Sequence, residues 1–262
     1  MKIITIGTCK GGTGKSMTTF NLAGMLAKDH KVLLIDIDPQ CNLSMNLGVD
    51  VTQQGIKTTA DIFTGNAKAQ NIIYKNPLEY LPNLDLIPSS ILLTATELNI
   101  VNIAGREQIM SNFILDNQAV LSEYDYILFD QNATMSIINQ NAFLVSDSIV
   151  LVTDVSKNGV LGADLFIALW EDIRNRLRKA DNVKAFIINN YDKRIGLAPE
   201  LLEYCQEHEE TKHLLLNTII PYNARIKETE LECTPINKKR RAAMPQKVYS
   251  QVISELRERG VL

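Results

Sequence analysis

Apolar runs of five to seven residues recur along the chain, separated by stretches whose apolar positions fall three and four apart. Lys2–Thr8, Val32–Asp36, Leu84–Pro88, Tyr126–Asp130, Ser148–Thr153, Lys184–Asn189 and Leu215–Ile220 read as strands. They are near-continuous rather than alternating, as strands covered on both faces must be. Helical periodicity is clearest over Ser16–Lys28, Leu161–Leu177 and Tyr249–Arg259. This order predicts an α/β fold, a doubly wound, mostly parallel sheet with helices on both faces. No linker, repeat or low-complexity stretch divides the chain, so one domain is expected over residues 1–262. Such sheets bind ligands beyond the carboxyl ends of their strands, which makes the residues after each run the candidates for chemistry.

The first run leads into Lys10-Gly11-Gly12-Thr13-Gly14-Lys15-Ser16, and a helical pattern starts at once. Strand, glycine-rich turn and helix make a phosphate cradle. The glycines let successive N–H groups converge on oxygens, and the helix N-terminus adds its positive dipole end. In a phosphate loop of this type Lys15 reaches the β- and γ-phosphates and the Ser16 hydroxyl ligates Mg²⁺. The second run ends in Asp36-Ile37-Asp38-Pro39-Gln40, where alternation puts Asp36 and Asp38 on one side, both facing the nucleotide. Two carboxylates beside a triphosphate repel it unless a cation intervenes, which again implies Mg²⁺. Tyr126-Ile127-Leu128-Phe129 ends in Asp130, a third carboxylate placed to hold that metal opposite Ser16.

One departure sharpens this reading. The ordinary phosphate loop has a glycine where this chain has Cys9, and an extra lysine, Lys10, follows it. The loop resembles the deviant Walker A loop of the ParA/MinD ATPases, closest to the small Soj-like partition proteins. The resemblance implies an ATPase using ATP and Mg²⁺, with Lys10, Lys15 and Asp38 catalytic. Lys10 would cross to nucleotide held by a second copy, so that ATP joins a homodimer. Nucleotide would lie on Lys10, Gly11, Gly12, Thr13, Gly14, Lys15, Ser16 and Met17, and the metal on Ser16, Asp36 and Asp130. Asp38 lies in a segment that matches the family's D-x-D-P-Q element and would orient the attacking water. After Asp130 relatives read D-x-P-P, whereas here Gln131-Asn132-Ala133 follow, so the loop loses two fixed φ angles. Asn132 has a side-chain amide to offer a phosphate or a water.

Two further strand ends resemble the family's base pocket: Asn189, whose carboxamide matches the donor and acceptor of adenine, and Pro221, which would pack on the ring. Basic residues thicken in the last third. Arg194 and Arg225 coincide with positions resembling non-specific DNA contacts of small ParA relatives. Lys238-Lys239-Arg240-Arg241 form a cluster expected on a flexible, exposed segment, where phosphate contacts are sequence-independent. The expected partners are duplex DNA and a ParB-type centromere-binding protein, because the phosphate loop starts too early to leave room for an N-terminal helix-turn-helix.

Composition changes the picture little. A net charge of −3 over 262 residues does not exclude a local basic patch. No apolar run approaches the ~18 residues of a membrane span, no leader precedes the first strand, and the four cysteines form no C-x-x-C pair. Free thiols and a cytoplasmic, nucleoid-associated protein without membrane attachment are expected. Two alternatives stay open: a MinD-like membrane-cycling ATPase, which needs an amphipathic tail, and a weakly hydrolysing regulatory relative.

Overall fold

The computed structural model describes residues 1–262. Six strands form: β1 (Lys2–Gly7), β2 (Val32–Asp36), β3 (Leu84–Ile87), β4 (Tyr126–Asp130), β5 (Ser148–Asp154) and β6 (Val183–Asn189). All pair in parallel, in the order β3-β2-β4-β1-β5-β6. The helices are α1 (Lys15–Leu26), α2 (Asn42–Asn46), α3 (Thr59–Phe63), α4 (Ala69–Ile72), α5 (Leu92–Ile100) and α6 (Ile109–Asp116). They continue with α7 (Gln118–Leu121), α8 (Ile137–Val145), α9 (Lys157–Arg176), α10 (Ala198–Glu207), α11 (Ala224–Leu231) and α12 (Ala243–Glu258).

The two-residue period of a strand sorts its apolar side chains to two faces. Ile4 and Ile6 of β1, Leu34 of β2, Leu128 of β4, Val150 of β5 and Ile187 of β6 join one core with α1 and α12. The intervening Leu33, Ile35, Ile127 and Phe129 pack with α3, α6 and α8 on the other face. Ile149, Leu151, Phe186 and Ile188 extend that second layer against α9 and α10, around Phe166 and Trp170. The continuous apolar runs are explained by this double coverage.

Helix α12 begins at Ala243, six residues before its apolar periodicity becomes clear at Tyr249. Its Tyr249, Val252 and Leu256 are at most 1% exposed. Burying such side chains contributes roughly 1.5–3 kcal/mol each, which ties the helix into the core. No helix is long and apolar enough to cross a membrane.

The seventh expected strand, Leu215–Ile220, does not form. Only isolated bridges remain, Phe186 with Leu215 and Tyr191 with Pro221. Between them the chain leaves the sheet because the Asn217 and Thr218 N–H groups donate to the Glu255 carboxylate of α12, at 2.7 and 2.8 Å. Helix α9 starts at Lys157, four residues before its predicted start, because the Ser156 hydroxyl caps it by accepting from the Gly159 N–H at 3.1 Å.

Candidate nucleotide-binding site

Between β1 and α1 the backbone turns through two left-handed glycines, Gly12 at φ 77° and Gly14 at φ 83°. Both conformations are cheap only for glycine. At Gly14 space is also limiting, since a Cβ there would lie 2.3 Å from Asn189 Nδ2. That amide donates to the Thr13 carbonyl at 2.8 Å, so β6 braces the loop from the side. The buried Asn189 Oδ1 and Thr13 Oγ1 have no partner. Asn189 thus reaches the site expected of it, with one of its two amide hydrogens committed to the loop backbone.

The loop opens into a cleft of about 520 Å³ lined by Gly11, Gly14, Lys15, Ser16, Asp38 and Asn132. That volume falls within the range of small-molecule sites. A larger groove of about 760 Å³ lies beyond Pro39, walled by Val51, Ile56, Ile91 and Leu92. It contains none of the phosphate-loop donors, so the smaller cleft holds the chemistry.

Lys15 is buried and bends back to the Lys10 carbonyl at 3.3 Å. Burial lowers its pKa, and the charges of Asp130 and Asp38 oppose that shift. Lys10 takes the opposite course: its Nζ leaves the loop and donates to both Asp154 oxygens, at 2.7 and 2.8 Å, and to Ser156 Oγ at 2.8 Å.

The sheet register brings the carboxylates together, since Asp130 at the end of β4 pairs with both Ile6 of β1 and Asp36 of β2. Asp130 is fully buried; Oδ1 accepts from Thr19 Oγ1 at 3.1 Å, and Oδ2 has no partner. An orphaned carboxylate oxygen beside Ser16 and Lys15 fits a hard divalent cation. Burial raises Asp130 to about 6 against the lowering effects of Ser16 and Lys15. Thr19, one turn beyond Ser16, has no marker in the loop motif and was not expected here.

Asp36 departs from expectation. It is completely buried and does not line the cleft, because both of its oxygens are taken. Oδ1 accepts the Asp38 N–H at 3.0 Å, and Oδ2 accepts the Ser44 N–H and hydroxyl at 2.9 and 2.7 Å. The strand ends at Asp36, and Ile37 turns its N–H to the Asp130 carbonyl, so alternation does not carry through to Asp38. Burial and the Asp130 charge push Asp36 up to about 8. Asp36 staples the turn, and Asp38 alone of the pair reaches the cleft, with Oδ1 accepting the Gln40 N–H at 2.9 Å.

The loop after Asp130 is not slack despite lacking prolines. Asn139 of α8 is buried and donates from Nδ2 to Asn132 Oδ1 and to the Thr134 carbonyl, each at 2.7 Å. Gln131 anchors the other end, donating to the Thr8 carbonyl at 3.2 Å. Side-chain amides do here what fixed φ angles would do.

Pro221 stays near the site through its bridge to Tyr191, and the neighbouring Tyr222 ring carries Lys227 Nζ 4.8 Å from its centroid. Lys227 and Asn190, neither expected, line the cleft. Of the basic residues, Arg194 and Arg225 are exposed and paired with Asp192 and Glu228. Lys238, Arg240 and Arg241 are exposed as expected. Lys239 is not: it is 8% exposed, held by Glu228 at 3.2 Å and Glu232 at 2.5 Å. The expectation of four exposed cations is corrected to three, because Glu228 of α11 and Glu232 at its C-cap both bind Lys239.

A parallel sheet in this order, with a phosphate loop at the end of its central strand and carboxylates on the strands beside it, defines a P-loop nucleotide-binding protein. A family model described as an AAA domain (AAA_31) matches residues 1–183. The chain is 31% identical over 239 residues to the sporulation initiation inhibitor protein Soj of Bacillus subtilis, covering 90% of each. It is 28% identical over 229 residues to the chromosome partitioning protein ParA of Caulobacter vibrioides, covering 87% of this chain and 83% of that one. A plasmid partition protein of Borrelia burgdorferi, solved with AMPPNP, superposes with a TM-score of 0.76 at 25% identity, covering 97% and 99% of the two chains. The chain belongs to the ParA/Soj family of P-loop ATPases.

Proposed function

We propose that this chain is a partition ATPase that uses Mg²⁺ and ATP to join two copies of itself and hold duplex DNA without regard to sequence, with hydrolysis stimulated by a ParB-type partner. The observation that carries the reading is the divergence of two lysines on one loop. Lys15 turns inward over the phosphate cradle, while Lys10 turns outward to the end of β5. One loop then has a lysine for its own nucleotide and a second free to serve another copy's, once Asp154 releases it.

Ser16 and the unpartnered Asp130 Oδ2 would hold Mg²⁺, which when bound neutralises phosphate charge. Lys15 and the loop N–H groups orient the triphosphate, and Asp38 holds a water for attack. Arg194 and Arg225 sit in exposed ion pairs, which water and salt screen, so a DNA phosphate can take either arginine from its carboxylate. With Lys238, Arg240 and Arg241 they supply the cations of a non-specific contact. The buried apolar face of α12 disfavours a membrane-cycling role, which needs that face free.

The test is retention of random-sequence duplex DNA with ATP, ADP or no nucleotide, each with Mg²⁺, for the wild type and Lys10→Ala. Retention with ATP alone, abolished by the substitution, is expected. Equal retention in all three states contradicts the reading.

A further inference from the structure

We propose that Asp164, His208 and Glu210 form a site for a divalent transition metal, taking Zn²⁺, which clamps the end of α10 onto α9. None of the three lines the nucleotide cleft, so the site stands apart from the reading of that cleft.

Two segments bring the ligands together. Asp164 lies on α9, His208 is the C-cap of α10, and Glu210 follows in the turn beyond it. That turn closes on the His208 carbonyl, which accepts the Thr211 and Lys212 N–H groups at 3.1 and 2.8 Å. One ligand atom from each of the three side chains lies within 4.8 Å of the other two. Imidazole with carboxylate is a set that Zn²⁺ takes, whereas Mg²⁺ favours oxygen alone. Cys205, one turn before His208, packs in the core with Ala198 and Phe166 and adds no thiolate.

The spacing suits an ion between the groups better than it suits direct pairing. His208 Nε2 lies 3.4 Å from Asp164 Oδ1, yet that oxygen is shut off from solvent and accepts no hydrogen bond. Two ligand atoms each about 2.1 Å from a tetrahedral Zn²⁺ lie about 3.4 Å apart, the edge of the coordination tetrahedron. Tyr204 stacks on the imidazole, with centroids 4.9 Å apart and 21° between the planes, and so holds the ring in its orientation. Lys212 takes Glu209, which leaves Glu210 without an ion pair and exposed, able to swing in as the third ligand. Glu210 also lines a surface groove of about 300 Å³, which gives an ion its entrance and a water for the fourth position. Two carboxylates this close repel each other, and a cation between them removes that cost.

The experiment titrates Zn²⁺ by calorimetry into the nucleotide-free wild type, Asp164→Ala, His208→Ala and Glu210→Gln, with Mg²⁺ in roughly thousandfold excess. One Zn²⁺ per chain is expected in the wild type. Each variant should bind it about tenfold more weakly or worse, since even an outer-shell partner contributes that much. Zn²⁺ should raise the melting temperature of the wild type and not of the variants, and melting with chelator reports that each variant folds. Glu210→Gln changes an exposed side chain at constant size, so it keeps the test decisive where another variant fails to fold. A wild type that binds no Zn²⁺, or wild-type affinity in the folded variants, overturns the proposal; the second result puts the ion elsewhere, on the free thiols.

Discussion

Lys10 Nζ grips both carboxylate oxygens of Asp154, at 2.7 and 2.8 Å, in a pair about three-quarters buried on each side. The contact holds within one chain the lysine that, on our reading, must serve another. Gly159 makes the latch possible, since a Cβ there would lie 2.4 Å from Asp154 Oδ1.

Removing the latch should favour pairing. A hydrogen bond to a charged group is worth roughly 1.5–3 kcal/mol, about a tenfold effect at the low end. Asp154→Ala is expected to lower by that factor the protein concentration at which Mg²⁺-AMPPNP produces dimer, read by sedimentation equilibrium.

Asn189 braces the phosphate loop through its amide N–H, so its loss should affect all nucleotides alike. Asn189→Ala is expected to weaken ATP and GTP binding by a similar factor, about fivefold, the scale of one lost hydrogen bond. A selective loss of ATP would assign Asn189 to the base pocket.

Within the basic segment, burial separates structural from surface lysines. Lys239→Ala leaves Glu228 and Glu232 without their shared cation and should lower the melting temperature. Lys238→Ala, at an exposed position, should leave melting unchanged and weaken salt-sensitive DNA retention.

The carboxylates at the end of β2 and β4 give the nucleotide-free protein a pH dependence. Burial lifts Asp36 to about 8 and Asp130 to about 6 from an ordinary 3.8. Between those limits the folded chain binds more protons than the unfolded one, so stability is greatest at the acid end and falls as pH rises toward 8. Melting scans from pH 4 to 8 should show this decline. Asp130→Asn, which removes one of the two charges, should flatten it.

Features encoded by neighbouring residues were legible in the sequence. The phosphate loop is contiguous, and each strand ending in a carboxylate announces itself by an apolar run followed by Asp. What could not be read depends on polar pairings between one segment and the next element or loop. Glu255 captures the Asn217 and Thr218 N–H groups and breaks the expected seventh strand. Ser44 takes up Asp36, Glu228 and Glu232 bury Lys239, and Asn139 stiffens a loop that lacks proline. In each case a polar side chain satisfies a backbone or polar group outside its own element, and hydrophobic periodicity carries no trace of such pairings.

The most direct test of the central claim is the mass of the protein in solution with saturating Mg²⁺-AMPPNP, by sedimentation velocity. A dimer in the wild type, a monomer with ADP, and a monomer for Lys10→Ala in either nucleotide are predicted. A wild type that remains monomeric while saturated with AMPPNP contradicts the account.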